Sequence, residues 1–593
     1  MTRIGLWAVL LLAGLAACLS FRARVADGGT PGWDSASHGL QGYALAQDLA
    51  RFDVVNFAAD ALGHRYRYPP GHPMVLAGAF LVFGPSWWTA IGVSAALFAA
   101  LAVVLYATAE SKVAGWISAL LALTCPALLS LSGMIMLELP AAILMTLALR
   151  LYMRSLEDDA AVRPLGWTLT VFMLTAAQYA ACTIATLVAF ELWRSRTWVR
   201  EVAARFFRSR SLYHPLHVLI ALSILTAVAI RLTGGWKIGS LSMTRAGGPM
   251  IAAALLGGVR VAWLCWKHRV ELRAVPRRYR DIFNTAVVPI YIWVFVIYPP
   301  RFQQFAEWIS RPGEVHERTE PAFWSFYPEY FLGGCHAALW VSLGVIGFVL
   351  ASCIRRGPSE RIRFLQWAVV IGAVLVLGHH ARQVRFIVPF LVAWWILASE
   401  TLVAWFSTAR KRALAGLAAT GAIVASAVGV YAADLQGVVS PPSIHRDYAE
   451  VLRWTLERLS VERMRYTTSC RVIGGIDGLS RHLFEWELGK RFDMRSRRLG
   501  FNLDLPDNYA TDPDGPRKVF NTWLAGDPED VVVAIEPIDL YQRETSWEGI
   551  RKSDHAWPEF TMRFLSGERR YRRVEGENFL SANVRIMIYR RYY

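Results

Sequence analysis

Long apolar runs separated by short polar clusters dominate the first 433 residues of the chain. The first run, residues 4–21, follows a single Arg3, and because more runs come after it we expect an uncleaved helix rather than a signal peptide. A run of about 20 residues crosses the hydrocarbon core of a bilayer. Further spans are predicted at 87–109, 116–132, 137–153, 165–178, 179–193, 215–231, 247–266, 282–299, 335–354, 364–379, 386–405 and 413–433. The pattern predicts a polytopic α-helical membrane protein with about 13 transmembrane helices.

The distribution of charge orients these predicted spans. With the N-terminus in the cytoplasm, the inner loops hold 23 Lys and Arg residues, against about 13 in much longer outer loops. The composition, 54% hydrophobic and 18% charged, argues against a soluble enzyme. The net charge of +17 lies in residues 1–433, where most basic residues are in short clusters between apolar runs, because the tail from residue 434 carries 25 basic and 25 acidic residues. Cytoplasmic loops therefore explain the surplus, and we predict no nucleic-acid partner.

Two outer segments and the tail are too long to be simple connectors. The outer segments cover about residues 22–86 and 299–334, and loops of such length are usually functional. After residues 440–442 the composition changes, with a helical pattern at 448–459 and strand patterns at 471–473, 531–535 and 584–589. We therefore predict a transmembrane catalytic domain at 1–433 and a soluble extracytoplasmic α/β domain at 434–593.

Two carboxylates stand out as candidate chemistry on the outer side. Asp34 opens a helical pattern in the first outer loop, and Glu138 lies within a long apolar stretch. A carboxylate at the centre of a span costs roughly 2.5–3.5 kcal/mol, so such residues are usually functional. The segment 116–154 is long enough for two crossings with a turn near 130–136, which puts Glu138 just below the outer surface. The alternatives are a helix cap for Asp34 and a solvated helix end for Glu138.

Four short motifs occur in an order that resembles glycosyltransferase family 39, enzymes of the GT-C fold that include protein O-mannosyltransferases and lipid A aminoarabinose transferases. The motifs are Asp34, then Tyr68-Pro69-Pro70-x-x-Pro73 before an apolar run ending at Gly84, then Glu138-Leu139-Pro140, and Arg382 to Pro389 opening a late span. The resemblance covers most of residues 30–400. Thirteen spans followed by an outer α/β tail also resemble the aminoarabinose branch of that family.

The resemblance implies transfer of one sugar from a polyprenyl-phosphate donor at the outer face of the membrane. The arginine-rich inner loops favour a bacterial inner membrane. The acceptor would be a lipid, a glycan or a protein, and the anomeric configuration would invert. Asp34 would act as the general base or orient the acceptor, and Glu138 would be the second acid. Arginines of the outer side would hold the donor phosphate. The first candidates are Arg65, Arg67 and Arg385, and the next are Arg382 and Arg301. Headgroup contact is the alternative for Arg65 and Arg67.

Candidate acceptor- or sugar-binding residues come from the same outer segments. They are His38, His72, Tyr68 and Trp324. Aromatic side chains such as Trp324 suit stacking on sugar rings, and equally suit a belt at the membrane interface. No cofactor is predicted with certainty. A divalent metal at His38 and His72 is a disfavoured alternative, because the spacing of this pair is not typical of metal ligands.

Two departures from the family pattern separate this chain from many members. Ser35 stands where a second acid often follows Asp34, and Tyr68 stands where some members have a lysine. Two other classes of protein therefore stay open. A proton-coupled transporter would also use an intramembrane Glu138, and a flippase or polymerase partner would bind polyprenyl lipids without catalysis.

Overall fold

The fold is described from a computed structural model of the chain. The structure describes residues 2–27, 33–62, 69–197, 200, 215–233, 236–238, 241–243, 247–267, 277–297, 320–354, 357–379, 383–406, 408–439, 443–461, 470–474, 483, 486–487, 499–501, 531–537, 571–579 and 584–591.

Helices form most of the described chain up to residue 200. They are α1 (Thr2–Asp27), α2 (Trp33–Ala50), α3 (Val54–Ala61), α4 (Gly71–Phe83), α5 (Trp87–Thr108), α6 (Lys112–Leu123), α7 (Pro126–Ser132), α8 (Glu138–Ser155), α9 (Val162–Thr175) and α10 (Ala177–Arg194). A short 3₁₀ helix, Asp159–Ala161, precedes α9. The first predicted outer segment therefore contains three helices, α2 to α4, of which α2 begins where Asp34 opens the helical pattern.

Helices also form most of the described chain between residues 215 and 461. They are α11 (Pro215–Thr233), α12 (Gly247–Lys267), α13 (Arg277–Ile297, with π-helical turns), α14 (Pro321–Gly333), α15 (Leu339–Ile354), α16 (Glu360–Leu377), α17 (Val388–Ala404), α18 (Ala409–Val439) and α19 (Ser443–Val461). The antiparallel pair β1 (Trp236–Ile238) and β2 (Leu241–Met243) lies between α11 and α12. The 3₁₀ turn Val384–Ile387 leads directly into α17.

Side-chain caps and prolines set several helix ends. Ser86, Ser111 and Ser359 each accept a backbone N–H of the first turn of α5, α6 and α16, at 3.0–3.3 Å. Pro126 begins α7, and α6 and α7 meet at an angle of 64°. The run predicted as one span at 116–132 is therefore broken at Thr124-Cys125, because Pro126 disfavours helical geometry in the residue before it.

The core of the helical part surrounds α17. Almost every side chain of this helix is buried, Trp395 completely, and it packs against α6, α8, α15 and α16. The Trp395 indole donates to Nε2 of buried His336 at 3.0 Å. At the far end of α17, Arg361 Nη2 lies 2.6 Å from Glu400 Oε1 and also donates to the Thr108 carbonyl at 2.8 Å. These contacts fix the middle and the far end of a helix whose first turn follows Arg385.

The described tail contains one sheet of five strands beside α19. Its order is β4 (Leu499–Phe501), β3 (Cys470–Gly474), β5 (Val531–Pro537), β7 (Val584–Arg591) and β6 (Tyr571–Phe579). Strands β3, β4 and β5 are parallel, and β7 is antiparallel to both β5 and β6. The helix and three strands predicted from the tail sequence coincide with α19, β3, β5 and β7. Its separation as an extracytoplasmic domain stays a prediction, and α18 continues through the proposed boundary at residue 433 to Val439.

Five helical segments of the described chain are long and apolar enough to cross a membrane. They are Gly5–Ala26, Trp87–Thr108, Arg277–Ile297, Val384–Trp405 and Ala409–Ala432, with the bent pair α6–α7 as a sixth. Shorter apolar helices occur at Gly71–Phe83, Pro215–Ile230, Gly248–Val261 and Leu339–Ile354. Several apolar helices are therefore confirmed, while the count of thirteen spans stays a prediction.

Candidate active site

Arg385 joins the two carboxylates that the sequence singled out. Its Nη2 lies 2.6 Å from Asp34 Oδ2, and its Nε lies 3.7 Å from Glu138 Oε1. The three residues come from the first turn of α2, the first turn of α8 and the 3₁₀ turn before α17. The predicted pair of acids therefore lies in one site, with a cation between them.

The two carboxylates differ in access. The Asp34 and Arg385 side chains are 19% and 18% exposed, whereas Glu138 is only 4% exposed. Asp34 can thus meet a substrate directly, and Glu138 is the inner of the two acids. One oxygen of Glu138, Oε2, is buried and has no hydrogen-bond partner among the described residues. A buried carboxylate oxygen of this kind is costly unless a ligand or a proton completes it.

Arg385 keeps donor capacity beyond its two ion pairs. Its Nη1 donates to the thioether sulfur of Met136 at 3.4 Å. A thioether is a weak acceptor, whereas an anionic oxygen is a strong partner for guanidinium. The Nη1 side of Arg385 therefore suits an incoming phosphate.

Two neighbours that the sequence did not indicate hold the acids in place. The Tyr179 hydroxyl of α10 donates to Glu138 Oε1 at 3.3 Å. The backbone N–H of Ile135, three residues before Glu138, donates to the Ser35 hydroxyl at 3.1 Å. Ser35 thus connects the start of α2 to the loop that leads into α8. The only signal in the sequence for such a contact was the short hydroxyl side chain of Ser35 directly after Asp34.

A third neighbour approaches from α14. The Tyr327 hydroxyl donates to the carbonyl of Gln383, two residues before Arg385, at 3.3 Å. Tyr327 is buried and lies one helical turn from Trp324, whose side chain is half exposed and packs on Phe323. Helix α14 therefore reaches the backbone beside the site, but through Tyr327 rather than through the predicted Trp324, whose sugar-binding role stays a prediction.

The two histidines of the first outer segment lie together. His38 of α2 and His72 of α4 are both buried, and their rings meet edge to face with centroids 5.8 Å apart. Neither ring nitrogen of His72 has a hydrogen-bond partner within the described ranges. The same ranges contain no group of three or more His, Cys, Asp or Glu residues that could hold a metal ion. The acceptor-binding role of the pair stays a prediction.

Several predicted site residues lie outside the described ranges. They are Arg65, Arg67, Tyr68, Arg301 and Arg382. The segment 63–68 and the segment 380–382 flank described parts of the site on α4 and the 3₁₀ turn. Their proposed contacts with the donor phosphate and acceptor stay predictions.

Comparison with known proteins identifies the fold. No family model matches the chain, and no curated protein sequence matches it. Among solved structures, ArnT from Cupriavidus metallidurans bound to undecaprenyl phosphate matches with a TM-score of 0.52 and 13% identity, over 98% of this chain and 98% of that chain. Its apo state matches with a TM-score of 0.52 and 13% identity, over 99% and 98%. The Archaeoglobus fulgidus oligosaccharyltransferase in the apo form gives 0.50 and 12%, over 90% and 69%.

The chain has a GT-C fold. The fold implied by the sequence resemblance is therefore confirmed, and the apolar helices belong to a multi-pass membrane protein. At 12–13% identity the likeness establishes architecture, so the reaction must be argued from the residues of the site.

Proposed function

We propose that the protein is an inverting glycosyltransferase that moves one sugar from a polyprenyl-phosphate donor to an acceptor at the outer face of the membrane. The observation that carries the proposal is the contact of Arg385 with both Asp34 and Glu138 in a partly open site. A cation beside two acids suits a reaction in which a hydroxyl loses a proton while a phosphate departs. A bacterial inner membrane, with the N-terminus in the cytoplasm, is part of the same proposal.

Asp34 has the geometry of the general base. It is the more exposed of the two acids, and the Arg385 guanidinium at 2.6 Å favours its ionised form. In the proposed step the acceptor oxygen attacks the anomeric carbon and its proton passes to Asp34. The bond from the anomeric carbon to the phosphate oxygen breaks, and polyprenyl phosphate leaves with the bonding electrons.

Arg385 would stabilise the departing phosphate. Phosphate gains negative charge as the glycosidic bond breaks, so a positioned guanidinium lowers the barrier. The Nη1 group, whose present acceptor is the Met136 sulfur, provides the contact without breaking the pair with Asp34. Arg65 and Arg67 are the further phosphate ligands that we propose.

Glu138 would orient Arg385 and bind the donor sugar. Its Oε1 is taken by Tyr179 and Arg385, while Oε2 is left for a sugar hydroxyl. The burial of Glu138 makes it less suited than Asp34 to accept the proton of an acceptor from outside. His38, His72, Tyr68 and Trp324 are proposed acceptor or sugar contacts, and the soluble α/β tail is proposed to lie outside the cell.

The donor proposal is supported by chemistry and by the neighbouring structure. ArnT of Cupriavidus metallidurans was solved with undecaprenyl phosphate bound. A polyprenyl phosphate has a lipid tail for the apolar helices and an anionic head for Arg385. We therefore propose undecaprenyl phosphate as the carrier released by the reaction, and as a probe for binding experiments.

Mass spectrometry of lipids and glycans from a strain lacking the gene tests the proposal. We expect one sugar to be missing from an envelope lipid, glycan or protein, and a sugar-linked polyprenyl phosphate to accumulate. Complementation with the natural chain should restore the sugar, and complementation with Asp34→Asn should not. Full restoration by Asp34→Asn would instead favour a transporter or flippase, because neither needs a proton acceptor for glycosyl transfer.

A further inference from the structure

Trp486 of the tail is completely buried among helices of the first outer segment. It belongs to an apolar cluster in which α2, α4 and α5 contribute most of the other large side chains, including Leu40, Phe80 and Ile91. The rings of Trp486 and Phe80 have centroids 5.8 Å apart. Within the described part of the chain, Trp486 is the only residue that the tail contributes to this cluster.

A glycine on α2 makes room for the Trp486 ring. A Cβ atom added at Gly39 would overlap Cζ3 of Trp486 and would lie 2.6 Å from its Cη2. Real Cβ atoms do not approach other atoms this closely, so any larger residue at position 39 would displace the indole or the helix. Gly39 follows His38 directly, and Asp34 lies five residues before it on the same helix.

The same cluster supports the approach to Glu138. Ile135 is completely buried in it, and the N–H of Ile135 donates to Ser35 at 3.1 Å. Trp486 therefore packs against two elements that hold the acids. One is α2, which contains Asp34, and the other is the loop at Ile135, which leads to Glu138. A shift of α2 by a fraction of an ångström would change the 2.6 Å contact between Asp34 and Arg385.

We infer that Trp486 is a positioning residue, through which the tail holds α2 and its Asp34 in register with Arg385. That Trp486 docks the tail on α2 rests on packing alone. That this docking affects substrate rests on the proposed function. The tail thereby acts on the site through the buried Trp486 side chain. Well-packed interiors transmit such displacements, because they cannot absorb a volume change without moving neighbours.

The docking of Trp486 on α2 is tested by enlarging the side chain at position 39 and shrinking the side chain at position 486. In the full-length chain in detergent, Gly39→Ala should lower the melting temperature, and Trp486→Leu should lower it as well. The double variant should melt higher than the sum of the two losses predicts, because leucine lacks the ring atoms that a Cβ at position 39 would strike. Strictly additive losses would overturn the inference, since residues that do not touch behave independently.

Two controls separate this contact from general damage. Gly78→Ala on α4 places its Cβ where no atom lies within 4 Å, so it should not lower the melting temperature. Trp454→Leu removes a tail indole that packs on Phe579 with ring centroids 5.5 Å apart. It should not suppress the effect of Gly39→Ala, and suppression by this remote variant would also overturn the inference.

Binding of undecaprenyl phosphate to the same purified variants tests the effect on the site. We expect Gly39→Ala and Trp486→Leu to weaken binding by about tenfold, because a displaced Asp34 carboxylate draws the Arg385 guanidinium away from the phosphate. Binding should recover in the double variant and in Trp486→Phe. A natural chain that does not bind undecaprenyl phosphate would contradict the proposed function, while the melting comparison would still decide docking. A natural chain that binds, with variants that bind equally well, would overturn the positioning role alone.

Discussion

The guanidinium of Arg385 lies between two acids that are far from it in sequence, with Nη2 2.6 Å from Asp34 Oδ2. Glu138 Oε1 lies 3.7 Å from Nε on the same side chain. One cation thus holds together three elements, α2, α8 and the turn before α17.

Removing Arg385 should weaken both the fold and the binding of undecaprenyl phosphate. Arg385→Ala leaves two acids without their cation, which costs about 3–5 kcal/mol in unfolding free energy for a buried pair. Thermal unfolding and lipid binding in detergent measure the two effects. The matched control is Arg154→Ala, because Arg154 pairs with Asp158 at 4.0 Å on an exposed surface and should contribute little.

If Arg385→Ala unfolds, a double variant still tests whether Arg385 binds the phosphate. Arg385→Ala with Glu138→Gln removes one of the two unpaired charges, so it should recover part of the stability while binding stays weak. Lipid binding at the natural affinity in this double variant would contradict the phosphate-binding role of Arg385.

Tyr179→Phe should slow sugar transfer while lowering stability only slightly. The change removes the hydrogen bond to Glu138 Oε1, worth about 1 kcal/mol of stability, and loosens the acid that contacts Arg385. Tyr152→Phe is the matched control, because Tyr152 donates to Glu191 Oε2 at 2.7 Å in a cluster apart from the site. Equal transfer rates in the two variants, measured at equal folded protein, would argue against a role for Tyr179 in the site.

Ser35→Ala should destabilise the loop before Glu138. The Ile135 N–H would lose its acceptor in a buried place, which costs about 1–3 kcal/mol. Transfer should fall together with the melting temperature, and Ser35→Thr should retain more of both than alanine does. Ser118→Ala is the control, since Ser118 is equally buried but donates to the Trp395 carbonyl. If Ser35→Ala left the melting temperature unchanged, the proposed link between α2 and α8 would be wrong.

Breaking the ion pair at the other end of α17 should affect stability alone. Arg361 contacts Glu400 of α17 at 2.6 Å. Glu400 lies fifteen residues after Arg385, which is in the turn before this helix, or about 22 Å along the helix axis. Glu400→Ala should lower the melting temperature by removing the partner of a largely buried Arg361. The affinity of the remaining folded protein for undecaprenyl phosphate should be unchanged, and a matching loss of affinity would show that α17 transmits the change to Arg385.

Site residues that differ from their immediate sequence neighbours were predictable from the sequence. Glu138 stood out as a charge in an apolar run, and Asp34 as the start of a helical pattern, and both lie in one site. Arg385 was recognised through its family-like motif before a late span. Their contact could not be derived from spacing, because it depends on how α2, α8 and α17 pack together.

Long-range partners were beyond the sequence for the same reason. Tyr179 lies 41 residues from Glu138, and Ser35 lies 100 residues from Ile135. Neither has a local pattern that names its partner. In the sequence, nothing distinguishes Trp486 from other tryptophans of the tail, and only the structure shows its contact with Gly39. The break between α6 and α7 had a local signal in Pro126, which the hydrophobic run concealed.

The rate of sugar transfer by Asp34→Asn, compared with its binding of undecaprenyl phosphate, tests the central claim most directly. The amide keeps the shape of the side chain but cannot take the proton of an acceptor hydroxyl, so transfer should fall by a factor of about 10² or more. The protein should still fold and bind the lipid phosphate through Arg385. Transfer at the natural rate by folded Asp34→Asn would contradict the account, because no proton acceptor at Asp34 would then be needed.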